Sequence, residues 1–379
     1  MEINERELIE LRHDLHRNPE LGFQEERTKK IVSQHLRALG MEVHEGAGVV
    51  GVLRGGNGNR AIGLRADMDA LPILEESTHG YKSENPGVMH ACGHDGHTTM
   101  LLGAAKMLSE NPNFDGTVIF IFQPNEELGL GARAMLDEGF LEQFQLEEVY
   151  AIHNLPGAPL GQVSTRDGLI CSSESIFEIT IEGQGGHASM PQAGRDAITI
   201  GAEIVRTLQT IVSRKLAPGA GAVVSVTEFL TDGQRNVLPG KATLKGDARA
   251  RSPEDRQAIE RFMRQVAEGA AITHGVSVEV SFNTEFIETI NATEPTEAVV
   301  RVAQNAGLFT IANRQPMSFS EDFAHFSAAV PGCFILLGNG ESGANGQPLH
   351  SNDYDFNDDL LPIGAKLWVD LVKDRLPAL

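Results

Sequence analysis

Three apolar runs in this chain each break off into acid or histidine. Ala61–Leu64 leads into Arg65-Ala66-Asp67-Met68-Asp69, Thr117–Phe122 into Gln123-Pro124-Asn125-Glu126-Glu127, and Val149–Ile152 into His153. Short runs rich in β-branched and aromatic residues read as buried strands. Polar groups just past such strands predict an open α/β sheet, because these sheets bind ligands beyond their strands' carboxyl ends. Helices frame the runs. Asn4, with Glu7 three residues on, caps a helix that reaches His16 and stops at Asn18-Pro19. A second runs from about Glu25 to Leu39 and ends at Gly40, a third spans His97 to Leu108, and a last one spans about Asp358–Asp374. Gly55-Gly56-Asn57-Gly58 reads as a hairpin turn, since no helix follows it to make a dinucleotide loop.

From Ser175 the pattern changes. Ile176, Glu178, Thr180 and Glu182 alternate with Phe177, Ile179 and Ile181, as in a half-exposed strand. A helix, two strands, a second helix and a strand at Ser277–Phe282 follow, which is the order of a compact α+β unit with an antiparallel sheet. Strand-then-motif segments resume at Ser320–Phe326, Cys333–Leu337 and His350–Phe356, so the α+β unit reads as an insertion. A chain of 379 residues exceeds the roughly 250–300 that one core supports. The predicted division is a catalytic α/β domain over 1–174 and 293–379, with a mixed sheet flanked by helices, interrupted by a smaller domain over 175–292.

The formal net charge of −21 repels phosphate backbones and anionic lipid, which argues against nucleic-acid and membrane partners. Three cysteines, an odd and small number, do not make a disulfide framework. Met1 to Leu15 is charged and amphipathic without an apolar signal core. No stretch reaches the ~18–20 apolar residues of a membrane span. A cytoplasmic location is expected.

Met89-His90-Ala91-Cys92-Gly93-His94-Asp95-Gly96-His97 packs His, Cys and Asp densely. Thiolate and imidazole suit zinc, cobalt, nickel or manganese-type ions. Cys92 and His94 are two apart and can face one site on an extended turn, and the glycines allow close backbone approach. Side chains of adjacent residues at a strand end diverge. One of Glu126 and Glu127 can therefore bind a metal while the other takes a proton from water. Alone, a Glu pair is usually a solvated cap, and His153 or His350 a hydrogen-bonded structural residue. Together they supply enough ligands for two ions. Asp67 and Asp69 could be ligands or stand behind them, because a metal-bound His commonly donates its other N–H to a carboxylate; the supporting role is favoured, chiefly for Asp69, since the other candidates already fill two sites. Gly185-Gly186-His187-Ala188 and Gln234-Arg235-Asn236-Val237 offer polar groups on the inserted unit and read equally well as turns.

In order along the chain stand Arg65–Pro72, Cys92-Gly93-His94, Gln123–Glu127, Ala151-Ile152-His153-Asn154, Gly185–Ala188 and Ser320-Glu321-Asp322-Phe323. This series resembles the M20 metallopeptidase family, in its aminoacylase-like branch of hippurate hydrolases, auxin-conjugate amidohydrolases and N-acetyl-diaminopimelate deacetylases. The resemblance implies that the inserted domain dimerises. It also implies Cys92, His94, Glu127, His153 and His350 as ligands of two divalent ions (Zn, Mn, Co or Ni), and Glu126 as general base. Asp69 is similar to the acid that orients a metal-site His. His187 is similar to a residue that enters the partner's site and stabilises the oxyanion. Asn236 and a nearby Arg, Arg235, are expected to hold a substrate carboxylate. Asn125 departs from the family, where Ala is frequent before the Glu pair, and Asn18 stands where His is often found. The expected activity is hydrolysis of N-acyl amino acids by a homodimer or higher oligomer. A dipeptidase or carboxypeptidase with the same centre is the alternative. A non-catalytic binding protein on this fold would have lost a ligand or the base, and none is missing.

Overall fold

The computed structural model describes residues 4–378; Met1–Ile3, at the start of the amphipathic opening stretch, and Leu379 lie outside it. The chain forms two compact units, one of 1–170, 289–315 and 322–379, the other of 171–288 and 316–321. The first is built on an eight-stranded mixed sheet. Its spatial order is Glu42–Glu45, Val49–Gly55, Gly116–Gln123, Ala61–Asp67, Glu148–Pro156, Gly332–Gly340, Val163–Ser164 and Thr310–Ile311. The four strands from Gly116–Gln123 to Gly332–Gly340 run parallel. Parallel strands covered on both faces carry unbroken apolar runs, and every residue of Gly116–Gln123 is buried.

The covering helices give the reason. Leu101, Ala105 and Leu108 of the His94–Glu110 helix share a core with Trp368, Leu371 and Val372 of the Leu360–Arg375 helix and with Ile62, Leu64, Phe120 and Phe122 of the sheet. Each Leu, Ile, Val or Phe among them contributes roughly 1.5–3 kcal/mol by leaving water. The Glu5–Arg17 helix starts as its sequence implies, with Asn4 Oδ1 accepting from the Glu7 amide at 3.4 Å. Its buried end is held by charge. His16 Nδ1 lies 2.8 Å from Asp95 Oδ2 and Nε2 3.3 Å from Glu75 Oε1.

Three local expectations change. Gly55-Gly56-Asn57-Gly58 is not a hairpin, because the Gly116–Gln123 strand lies between its two neighbours. The loop instead wraps Asp115, whose Oδ1 accepts from the Asn57 and Gly58 amides at 2.7 Å. The third helix begins at His94 rather than His97. Of the resumed segments only Gly332–Gly340, around Cys333, is a strand; Ser320–Phe326 and His350–Phe356 are turns apart from the start of the Ala324–Ala329 helix.

The second unit is a four-stranded antiparallel sheet in the order Val223–Thr231, Lys241–Ala250, Ser173–Glu182, Ser277–Phe286. Phe177, Ile179 and Ile181 form a core with Ile200, Ile204 and Leu208 of the Ala197–Thr210 helix and Ile259 and Met263 of the Pro253–His274 helix. The edge strand Val223–Thr231 leaves Val223, Phe229 and Leu230 exposed.

Phe120 is fully buried at the centre of the large sheet, so Phe120→Ala should cost about 3–5 kcal/mol in chemical denaturation. Burial disfavours the His16 imidazolium, but Asp95 and Glu75 outweigh it and lift the group from 6.5 to about 9. The folded chain therefore holds this proton more tightly than the unfolded one. In chelating buffer, stability should fall as pH rises from 6.5 through about 9, by up to about 1.4 kcal/mol per pH unit. His16→Gln should flatten that slope, and a wild-type profile already flat across the window contradicts the assignment.

Candidate metal centre

The parallel strands end at one edge of the sheet. Asp67 closes its strand in register with Gln123, and His153 lies in the next strand, paired with Leu336. The turns beyond these ends supply the other groups. Cys92 and His94 flank Gly93, whose φ is +94° and whose added Cβ would lie 2.4 Å from Asn154 Oδ1. Glycine alone fits that backbone, and it lets the helix open directly over the site.

Glu126 and Glu127 do not sit at a strand end. They occupy a turn entered through Asn125, a left-handed residue with φ +46°. Their carboxylates are placed by this turn, rather than through strand alternation. Glu25 Oε1 accepts the Asn125 amide at 2.8 Å. Glu126 Oε1 accepts the Asp322 amide at 3.2 Å. Glu127 Oε1 lies 3.9 Å from His94 Nε2, and its Oε2 3.4 Å from His350 Nε2. His350 is also left-handed, φ +65°, and its amide is held by the Ala91 carbonyl at 2.8 Å.

The donor atoms gather in overlapping groups: Cys92, His94 and His153; Cys92, Glu127 and His350; His94, Glu126 and Glu127. Within each group all lie within 4.8 Å of one another. Cys92 Sγ is 3.4 Å from His153 Nε2. The fold thus brings together all five sequence-predicted ligands and Glu126. His94 Nδ1 is 2.9 Å from the Asp69 carbonyl and 3.2 Å from Asp69 Oδ1, and Asp69 Oδ2 accepts the Glu127 amide at 3.1 Å. Asp67 instead meets His97 Nδ1 at 2.7 Å and Arg65 at 2.8 Å.

Do these residues fit a cation? His94 Nε2 and Glu127 Oε1 are buried without a hydrogen-bond partner. Their 3.9 Å separation is too long for a hydrogen bond, yet two ligand bonds of about 2.0–2.2 Å around one ion span such a gap. Charge agrees. Burial opposes a proton on His94, but Asp67, Asp69 and Glu127 lift its pKa to about 10. Burial with the neighbouring His97 pushes His153 well down, so that ring is neutral. The site therefore favours positive charge and presents a soft sulfur, imidazoles and carboxylates, a donor set suited to zinc-like divalent ions.

His187, Arg235 and Asn236 lie in the other unit. His187 pairs in register with Val237, and the Asn236 carbonyl accepts the Ala188 amide at 3.1 Å, so both residues belong to one small ribbon. All three are exposed. The Ser189 amide donates to His187 Nδ1 at 3.1 Å. A neutral His187 must then carry its proton on Nε2, as a donor. Sequence reasoning missed Glu25 and the Asp322 amide. Nothing local in Glu25 marks it, since it reads as a helix start; Asp322 stood in a motif to which no role was attached.

Residues 63–374 match the model of peptidase family M20/M25/M40. The chain is 38% identical to a hippurate hydrolase of Campylobacter jejuni over 372 residues, 96% of this chain and 95% of that one. It is 35% identical to thermostable carboxypeptidase 2 of Saccharolobus solfataricus, across 94% and 92% of the two chains. The structure of the Bacillus subtilis YXEP protein, described as a dinuclear metal-binding peptidase of family M20, aligns with TM-score 0.85 and 31% identity over 99% of both chains. Family match, near full-length relatives and a shared fold agree, and the chain belongs to peptidase family M20/M25/M40.

Proposed function

We propose that this protein is a two-metal amidohydrolase that cleaves N-acyl amino acids, of the N-acetyl or N-benzoyl type, to a free amino acid and a carboxylic acid. One observation carries the reading: the donor atoms of Cys92, His94, Glu127, His153 and His350 gather in overlapping groups with Glu126 beside them, around the buried, unpartnered His94 Nε2 and Glu127 Oε1. Those five residues would hold two divalent ions of the zinc, manganese, cobalt or nickel kind. The similarity to a hippurate hydrolase and to a dinuclear metal-binding peptidase supports both halves of the proposal.

Bound ions of this kind polarise a carbonyl and lower the pKa of water. The protein's own groups do the rest. Glu126 takes a proton from the water whose oxygen adds to the scissile carbonyl carbon. As the C–N bond breaks, Glu126 hands that proton to the leaving nitrogen. The Asp322 amide steadies the Glu126 carboxylate for both transfers. Asp69 orients the His94 ring and anchors the Glu127 turn. Asn236 and Arg235 bind the substrate carboxylate, Arg as a bidentate donor.

His187, offered by a second copy of the chain, donates from Nε2 to the developing oxyanion. Two observations support a homodimer: His187 is exposed with its Nδ1 engaged by Ser189, which leaves Nε2 as the donor, and the exposed apolar residues of the Val223–Thr231 edge strand invite burial against another chain. A peptidase reading of the same centre is favoured by the likeness to a carboxypeptidase. Rates on N-acetyl amino acids and hippurate against dipeptides decide between them, and faster turnover of dipeptides overturns the acylase reading.

Glu126→Gln should lower kcat by about 10²–10⁴ with KM little changed; a near-normal rate removes Glu126 as base. His187→Ala should lose about 10²–10³ in kcat. Mixing the two inactive variants should restore about a quarter of wild-type activity, since half the random dimers are hybrids with one intact site of two. A mixture that stays inactive while subunits demonstrably exchange contradicts the contribution in trans.

A further inference from the structure

A second cluster of metal-type donors lies in the first unit, apart from the five residues above. His16, at the end of the Glu5–Arg17 helix, meets Glu75 and His79 of the irregular segment that follows the Ala61–Asp67 strand. Glu75 Oε1 lies 3.3 Å from His16 Nε2 and 3.3 Å from His79 Nε2. The three donor atoms lie within 4.8 Å of one another.

The surroundings fix each donor. His16 turns Nδ1 to Asp95 at 2.8 Å, which leaves Nε2 facing the cluster. That is the carboxylate–histidine pairing that commonly stands behind a metal-bound imidazole. The Ser83 amide holds Glu75 Oε2 at 2.7 Å, and Oε1, which also accepts from the Ser77 hydroxyl, is the oxygen that faces both imidazoles. The His79 ring stacks on Tyr81 with centroids 3.9 Å apart, and Tyr81 is tied by its hydroxyl to Asp355 Oδ2 at 2.6 Å. Asp355 Oδ1 lies 3.9 Å from His79 Nε2, within reach as a further oxygen donor.

Both ring nitrogens of His79 are buried with no hydrogen-bond partner, and buried polar atoms in folded proteins nearly always have one. Two imidazoles and a carboxylate are a known first-row donor set, with an open position left for water or another oxygen.

We propose that His16, His79 and Glu75 form a third divalent-cation site, for a zinc-type ion, which ties the first helix to the segment after the Ala61–Asp67 strand. The competing picture is a purely hydrogen-bonded network, with a protonated His16 between Glu75 and Asp95 and no ion. Local charge does not forbid the ion. Arg12 brings one positive group, 3.5 Å from Asp95 and 3.1 Å from Asp355, against Glu75, Asp95, Asp355 and Asp358.

The test compares the full-length wild type with His79→Leu and His79→Gln, all stripped with chelator and dialysed to equilibrium against micromolar Zn²⁺. Metal per chain is counted by mass spectrometry. Wild type should hold one equivalent more than either variant, with the variants' fold checked by circular dichroism. Crystals of the zinc-loaded wild type should show an anomalous peak among His16, Glu75 and His79. Equal counts in wild type and in the folded variants, or no peak at that position, overturn the proposal. The difference in count is independent of how many ions the Cys92–His350 centre holds. Failure of the two-metal reading would lower all three proteins alike and leave the difference intact.

Discussion

One buried carboxylate ties the structure together at its working edge. Asp69 is almost wholly removed from water, and each of its oxygens is committed. Oδ1 faces the His94 ring at 3.2 Å and Oδ2 accepts the Glu127 amide at 3.1 Å. The chain after one strand is thereby joined to the start of a helix and to the turn after a different strand. A buried charge is costly unless paired and hydrogen-bonded. These bonds meet that cost only while all three segments keep their positions, so the carboxylate that needs them also specifies them.

Around Asp69 the electrostatics run opposite to the molecule as a whole. The chain carries a formal −21, yet the carboxylates of Asp67, Asp69 and Glu127 are close enough to hold a proton on His94 up to about pH 10. Acidic groups packed this tightly require a positive partner. Arg65 meets Asp67 on one side. Between His94 and Glu127, a gap lined by partnerless atoms is left for another positive charge. The departure at Asn125 belongs to the same design. Asparagine tolerates the left-handed backbone better than most side chains, and Glu25 secures its backbone amide at the entry to the turn that carries the two Glu carboxylates.

Much of this was legible in the residues. The apolar runs before Asp67, Gln123 and His153, the Asn4 cap and the alternation of Ile176–Glu182 all report local physics: propensity, periodicity and capping act over a few residues and need no knowledge of the rest. The inserted unit's strand–helix–strand–strand–helix–strand order was readable on the same terms. So was the ligand candidacy of Cys92, His94 and Glu127, since residue chemistry and spacing are local properties.

Only the tertiary structure decided the rest. Strand order is set by which edges pair, and that choice put Gly116–Gln123 between two consecutive strands and removed the hairpin expected at Gly55–Gly58. Glu25 and the Asp322 amide reach the Glu turn from 100 and 196 residues away, distances over which no sequence period carries information. His79 is the plainest instance: in the sequence it is one histidine in a polar loop. Packing against Tyr81, and closing the first helix over Glu75, turned it into a donor beside two others. The sequence determined which groups were available and on what kind of element each would lie. Packing determined which of them meet, because the free energy that selects strand order and burial is summed over the whole core.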